Sequence, residues 1–385
     1  MKLAKLSLAA MVVAGLATSS FAADTLADAF AKGKVSGTLE AQYIEENFAG
    51  AKVTQDQFAV GGELKYKTDS LNGFSAAFTF QTSHTLGMDS DVAAENVATI
   101  NIQDTVLSEA YLAYTMKNTT VQAGRMYLAT PLVASSGSRI MMDYFTGAVI
   151  INKDLPDTTL VAGAVTKWTS RANVTTTLED PIYTVYVQNK SIKGLTATAQ
   201  ATILDDATAA GNDGRDDYYA EVSYVLPTSF PLTVGAQYLA TDYTAAATDD
   251  GKMYGLMVGT KFGALTLEGF YNNNTSDGIV QGGWGLGNDP SYNDMWVYNG
   301  LGANQESYSV KAGYVFSPEL SGSVWYGWFK PDAANSDVES LDLDVMYKPG
   351  YFKGFSLNAK YSTLDYDTPA TKLESHLYFF AKYAF

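Results

Sequence analysis

The chain of 385 residues has no cysteine, only two histidines and four arginines, and charged residues make up just 17% of it. The lack of cysteine excludes a disulfide framework, a dithiol redox pair and a thiolate metal site. A serine or metal hydrolase needs histidine beside a nucleophile or a carboxylate. His84 follows Ser83 at a strand end and His376 lies in the last strand, and neither sits in a nucleophile motif. The chain therefore reads as non-enzymatic, with no cofactor. Its formal charge of −16 argues against nucleic acid, which is bound by basic patches. Beyond residue 22 no apolar run approaches the roughly 20 residues that a spanning helix requires. No linker or shift of composition divides the chain.

At the start, Lys2 and Lys5 precede an apolar run from Leu6 to Ala17, and Ser20-Phe21-Ala22 reads as a small-x-small cleavage site. This is the pattern of an export signal over residues 1–22. Residues 23–33 carry helical apolar spacing in Leu26, Ala29 and Phe30, and read as a short periplasmic lead-in.

From residue 34 to 385 the dominant pattern is alternation. Leu195, Ala197, Ala199 and Ala201 alternate with Thr196, Thr198 and Gln200; Leu341, Leu343 and Val345 alternate with Asp342 and Asp344. Such period-two runs are half-buried strands. Eighteen can be placed, starting near residues 34, 55, 73, 105, 120, 146, 158, 181, 194, 216, 231, 252, 264, 306, 320, 338, 354 and 374. The count drops to sixteen if the segments near 146 and 158 are not strands. Connections alternate between short (117–119, 191–193, 263) and long (86–104, 129–145, 170–180, 205–215, 274–305). Short periplasmic turns and long external loops mark an outer-membrane β-barrel of a Gram-negative bacterium. The last strand places Leu377, Phe379, Ala381, Tyr383 and Phe385 on a lipid face.

If the apolar faces meet lipid, the alternate faces line the lumen. These carry Glu40, Glu63, Glu109, Glu221, Glu268, Asp342, Asp344 and Glu374. Lys65, Lys167, Lys311, Lys360 and Lys382 stand against them. Ionised groups facing lipid at mid-depth would cost about 2–4 kcal/mol each, so a wet interior is the cheaper arrangement. Eight strands leave room only for side chains or one ligand, whereas 16–18 leave an aqueous channel. The expected function is passive diffusion of ions and small hydrophilic solutes, with cation preference from the carboxylate excess.

Two other features compete for a role. Asp205, Asp206, Asp213, Asp216 and Asp217 offer oxygen ligands to a weakly bound calcium ion, or form an acidic, solvated loop. The 274–305 loop carries Trp284, Tyr292, Trp296 and Tyr298. It suits a surface adhesin as the alternative function, or a fold over the pore mouth or against a neighbouring subunit.

The run Gly124-Arg125, Thr130-Pro131-Leu132, Ser138-Arg139 and Phe145-Thr146-Gly147 resembles the third-loop region of OprD-like porins. The start Leu26-Ala27-Asp28-Ala29-Phe30 with Gly33-Lys34-Val35-Ser36-Gly37 resembles those porins and the campylobacterial major outer membrane protein. So do Leu107-Ser108-Glu109-Ala110-Tyr111-Leu112 and the terminal Phe385. The resemblance implies an eighteen-stranded homotrimer with the third loop folded inward. Arg125, Arg139 and Arg171 would then face carboxylates such as Asp143, Glu109, Asp342 or Asp344 across the constriction. Strict alternation from Val121 and Ala123 points Arg125 at lipid, and a bulge at Gly124 would be needed to turn it inward. The resemblance also implies that Phe385, Tyr383 and Phe379 are read by the barrel-assembly machinery. Four arginines are too few for the wall ladder of channels that take basic amino acids, so a general pore is expected.

Overall fold

The computed structural model describes residues 23–48, 54–208, 212–228, 230–245, 248–332, 337–368 and 371–385. The export signal at 1–22 lies outside them. Eighteen strands form one antiparallel sheet. In chain order they are β1 (Lys34–Asn47), β2 (Gln55–Lys67), β3 (Phe74–His84), β4 (Asp104–Met116), β5 (Thr119–Met126) and β6 (Tyr144–Asn152). Next come β7 (Thr158–Thr169), β8 (Thr175–Asn189), β9 (Leu195–Ile203), β10 (Arg215–Leu226), β11 (Leu232–Tyr243) and β12 (Gly251–Phe262). The last six are β13 (Leu265–Asn274), β14 (Glu306–Val315), β15 (Leu320–Lys330), β16 (Val338–Tyr347), β17 (Phe355–Thr368) and β18 (Thr371–Ala384). Each pairs with its chain neighbour, and β18 closes on β1 from Thr38↔Ala384 to Asn47↔Ser375. The segments near 146 and 158 are thus both strands, which retires the count of sixteen.

Closure leaves no strand edge unpaired, as a membrane-spanning sheet requires. The last residue completes the seam: Gly37 N donates to Phe385 O at 3.0 Å and Phe385 N donates to Gly37 O at 3.1 Å. Phe385, Tyr383 and Phe379 lie on the outer face, and Phe385 and Phe379 are exposed. The lead-in forms helix α1 (Leu26–Ala31), whose cap Thr25 accepts from Asp28 N at 3.1 Å. It docks on the first turn through Asp69 N donating to Ala29 O at 2.9 Å.

Three irregularities change which way side chains point. In β4 an inserted residue, Ser108, shifts the register between Thr79↔Glu109 and Phe80↔Leu107. In β7 the inserted Thr166 separates Thr146↔Lys167 from Gly147↔Val165. Val165 and Trp168 face inward, so Lys167 turns to the outer face and is exposed, not lumenal as alternation alone suggested. In β8 residues 178–181 bulge out of register with β7. Pro181 cannot donate to the ladder and breaks the alternation there. The strand therefore begins at Thr175, six residues before the sequence pattern resumes, and the fourth loop shrinks to residues 170–174.

Candidate channel constriction

The largest apolar clusters of the protein lie inside the barrel. Residues 127–143, the third loop, leave the wall at Met126 and turn inward. Met126, Leu128 and Val133 pack with Phe145, Val149, Val165, Leu178, Ile182 and Leu204 of the wall and adjoining loops. Burial of this many apolar side chains, at about 25 cal/mol per Å², holds the loop in the lumen. Ala129–Thr130 and Val133–Ala134 form a short hairpin around Pro131-Leu132. Its tip is tied to β9: Leu132 N donates to Gln200 Oε1 and Gln200 Nε2 donates to Thr130 Oγ1, both at 2.8 Å.

Asp143 is fully buried at the far end of this loop. Its Oδ1 accepts from Ser136 N at 2.7 Å, and its Oδ2 accepts from Trp168 Nε1 at 2.9 Å and Leu286 N at 3.0 Å. It binds the third loop to β7 and to the seventh loop, and does not face the channel. Arg139 lies between Trp296 and Tyr378, 5.8 Å and 5.2 Å from their ring centroids. Its Nη2 is 4.0 Å from Glu46 Oε1. Arg171 Nη2 donates to Ser138 Oγ at 2.8 Å. Burial, reinforced by the nearby Arg139 charge, brings the Arg171 guanidinium down to about 10; burial also lowers that of Arg139. At about 10, Arg171 remains cationic at neutral pH.

Arg125 is placed elsewhere. The register of β4, β5 and β6 runs unbroken through Gly124, so no bulge turns it inward. It is exposed on the outer face, where Nη1 donates to Leu107 O at 3.0 Å.

The seventh loop, residues 275–305, also folds into the lumen, which takes Trp284, Tyr292, Trp296 and Tyr298 away from the external surface. Trp284 N donates to Leu132 O at 2.7 Å, Ala134 N to Trp284 O at 3.1 Å and Gly287 N to Ala134 O at 3.0 Å, so the two loops share a parallel backbone ladder. Gly283 sits at φ +104°, and a Cβ there would lie 2.2 Å from Leu132 O. Only glycine combines that backbone angle with so close an approach. Arg215, the fourth arginine, clamps this junction. Its Nη2 donates to Gly283 O at 2.7 Å, and its Nε donates to Asp217 Oδ2 at 3.1 Å. Sequence reasoning passed it over because it is remote from the third loop in the chain. The available signal was Asp217, two residues on and therefore on the same strand face.

Farther along, Tyr292 Oη donates to Glu221 Oε1 at 3.0 Å. Trp296 N donates to Asp342 Oδ2 at 2.8 Å. The Trp296 ring then lies between Arg139 and Lys360, whose Nζ is 4.2 Å from its centroid. The seventh loop thus runs from β10 to β18 and meets the third loop at both ends. A cavity of about 300 Å³ between loop and wall is lined by Lys311, Lys360, Asp342, Asp344, Trp296 and Trp325. Lys360 pairs with Asp344 at 2.5 Å, and Lys311 stands 4.5 Å over Trp325. Elsewhere on the wall Lys65 pairs with Glu109 at 2.6 Å and Lys382 with Glu40 at 2.8 Å.

The proposed calcium ligands are not brought together where they are described. Asp217 faces inward to Arg215 and Thr241, whereas adjacent Asp216 faces outward to Tyr218. The side chains of Asp206 and Asp213 lie outside the described residues. Among the described residues no group of three acidic or histidine side chains is arranged to hold a metal.

A wall of eighteen closed strands with two loops narrowing its lumen is the geometry of a channel. A family model described as "outer membrane porin, OprD family" matches residues 107–375, and one described as "Campylobacter major outer membrane protein" matches residues 1–211. The chain belongs to the OprD family of outer membrane porins. As an OprD-family porin it resides in the Gram-negative outer membrane and conducts small solutes. Pseudomonas aeruginosa OpdO is 14% identical, with a TM-score of 0.79 over 93% of this porin and 98% of that chain. Acinetobacter baumannii OccAB1 is 15% identical, with a TM-score of 0.79 over 95% and 100%. Pseudomonas aeruginosa OpdK, solved with vanillate, is 16% identical, with a TM-score of 0.77 over 92% and 99%. No curated protein matches the porin.

Proposed function

We propose that this porin is a passive, water-filled diffusion channel for small hydrophilic solutes and ions, with cation preference and no catalytic step or cofactor. The observation that carries the preference is the pairing of lumenal charge. Lys65, Lys360 and Lys382 are each held by a carboxylate. Among the described residues, Glu63 and Glu268 face the lumen and form no ion pair. Uncompensated carboxylates along a wet path favour cations. Phe385, with Tyr383 and Phe379 on the same outer face, is the element we assign to recognition by the assembly machinery. Refolded protein in a planar bilayer under a KCl gradient tests the channel reading. Ohmic steps with a cation-directed reversal potential are the expected result. Anion-directed reversal would mean that Arg139, Arg171 and Lys311 outweigh the wall carboxylates, and an absence of steps from folded protein would refute the open channel.

A further inference from the structure

The two ends of the channel carry charge of opposite sign. Five lysines continue the inward columns of their strands down to the periplasmic mouth. Lys34 opens β1 below lumenal Thr38, whose Oγ1 donates to Glu40. Lys261 pairs with Thr266 at the foot of β12 and β13. Lys153, Lys190 and Lys348 lie immediately beyond β6, β8 and β16. Their backbone N–H groups extend the ladder, donating to Asn118 O at 3.0 Å and to Asp157 O and Glu319 O at 2.8 Å. Alternation therefore holds through them and sets them on the lumen face, below Ile151, Gln188 and Asp344. The five are spread around the whole circumference.

Lys34, Lys190, Lys261 and Lys348 are exposed, and among the described residues none of the five forms an ion pair. Lys34 even stands directly opposite Lys67, an arrangement of like charges that disfavours strand pairing. Carboxylates in the same turns are taken up locally. Asp69 accepts from Ser70 N at 2.9 Å, Asp154 from Asn152 Nδ2 at 2.6 Å and Glu319 from Gly350 N at 2.6 Å. The external loops have the reverse character, with Asp91 and Glu95 in the second, Asp249 and Asp250 in the sixth, Asp277 in the seventh and Asp332 in the eighth. An ion crossing the channel thus meets an acidic entrance, the constriction and then a basic exit.

We propose that Lys34, Lys153, Lys190, Lys261 and Lys348 are the specificity-determining residues of the periplasmic mouth, a ring that admits anions at one end of a channel whose other end admits cations, so that the porin conducts unequally in its two directions. The proposal rests on the open, water-filled channel inferred above. Rings of cationic side chains favour anions and rings of carboxylates favour cations. A field directed from outside to periplasm drives cations in through the acidic mouth and anions in through the lysine ring. Both carriers then accumulate at the constriction and the current rises. The opposite field draws each carrier out through the mouth that favours it, depletes the constriction and lowers the current.

The test records single channels of the refolded protein at equal and opposite voltages in 1 M and in 0.01 M KCl. The chain has no cysteine, so biotin attached to D332C marks the external mouth uniquely. Streptavidin in one compartment then reports, through added current noise, which way each channel is inserted. In 1 M KCl fixed charge is felt over only about 3 Å and the steps should be ohmic. In 0.01 M KCl it is felt over about 30 Å, and the current should be about twofold larger with the external side positive. The variant K34Q/K153Q/K190Q/K261Q/K348Q should lose this asymmetry while keeping its conductance in 1 M KCl, and K261Q/K348Q should lose part of it. K330Q, at the opposite end of the barrel, should keep it. Equal currents from the wild type in 0.01 M KCl would overturn the proposal, as would asymmetry of the opposite sense or asymmetry that survives in the fivefold variant. An absence of steps in 1 M KCl would instead refute the open channel itself, so the two failures are told apart by salt.

Discussion

The Arg215 guanidinium lies 3.8 Å from the centroid of the Trp284 indole, stacked on the residue through which the seventh loop bonds to the third. A desolvated cation–π contact contributes about 2 kcal/mol. The adjacent bond from Arg215 to Gly283 O adds about 1.5–3 kcal/mol as a charge-assisted hydrogen bond. Wall and both loops are therefore coupled at one side chain.

Removing that side chain should release the seventh loop without unfolding the barrel. R215A is expected to raise single-channel conductance and add fast fluctuations, while heat modifiability on gels is retained. G283A should do the same by another route, since its Cβ would meet Leu132 O and force the loops apart. If both variants conduct like the wild type, the junction does not limit the channel.

Asp143 makes three hydrogen bonds to N–H donors with no solvent access. Truncation leaves Ser136 N, Trp168 Nε1 and Leu286 N without their acceptor, at a cost of about 1–3 kcal/mol for each buried group. D143A should loosen the third loop, seen as new protease cleavage within residues 127–143 of otherwise resistant barrels. Unaltered cleavage would show that the apolar contacts alone hold the loop.

The selectivity assignment makes E63Q and E268Q additive. Each should move the reversal potential in a KCl gradient toward zero, and K311Q should move it the other way. The preference should weaken as salt rises, because charges are screened within about 10 Å at 0.1 M. A preference insensitive to all three substitutions would locate it elsewhere in the channel.

Arg171 supplies a pH dependence whose sign is fixed. Its folded value, about 10, lies below the ordinary 12.5, so the charged form is disfavoured in the folded protein. The destabilisation is fully present below about 10 and is relieved as the pH rises through that value, because there the unfolded chain binds more protons than the folded one. Subtracting the profile of R171Q removes the contribution of the lysines, which titrate nearby. The difference in cation preference between wild type and variant should fall toward zero as the pH rises from 8 to 11. A constant difference would mean Arg171 stays charged.

The wall was legible in the sequence because each strand reports two environments in alternate residues. Leu341, Leu343 and Val345 against Asp342 and Asp344 place β16 and orient it together. Alternation fails at an inserted residue. Thr166 is unremarkable in composition, yet it reverses Lys167, and Pro181 hides the upper end of β8. The third-loop side chains divide the same way. Their position near the lumen was readable, but the burial of Asp143 depends on Trp168 and Leu286, remote partners that no local spacing reveals. The inward turn of the seventh loop was hidden for a similar reason. Trp284 and Trp296 have the same identity whether they face solvent or a wall, and their partners come from β10, β16, β17 and β18.

The shared ladder between Leu132–Ala134 and Trp284–Gly287 has a consequence for engineering. Loops of a barrel are usually treated as interchangeable parts on a fixed frame. Here the aperture belongs to a pair. A third loop transplanted from a relative would arrive without its companion strand, and a transplanted seventh loop would lose its glycines' counterpart. Exchanges should be made two loops at a time, with Arg215 carried along as part of the insert.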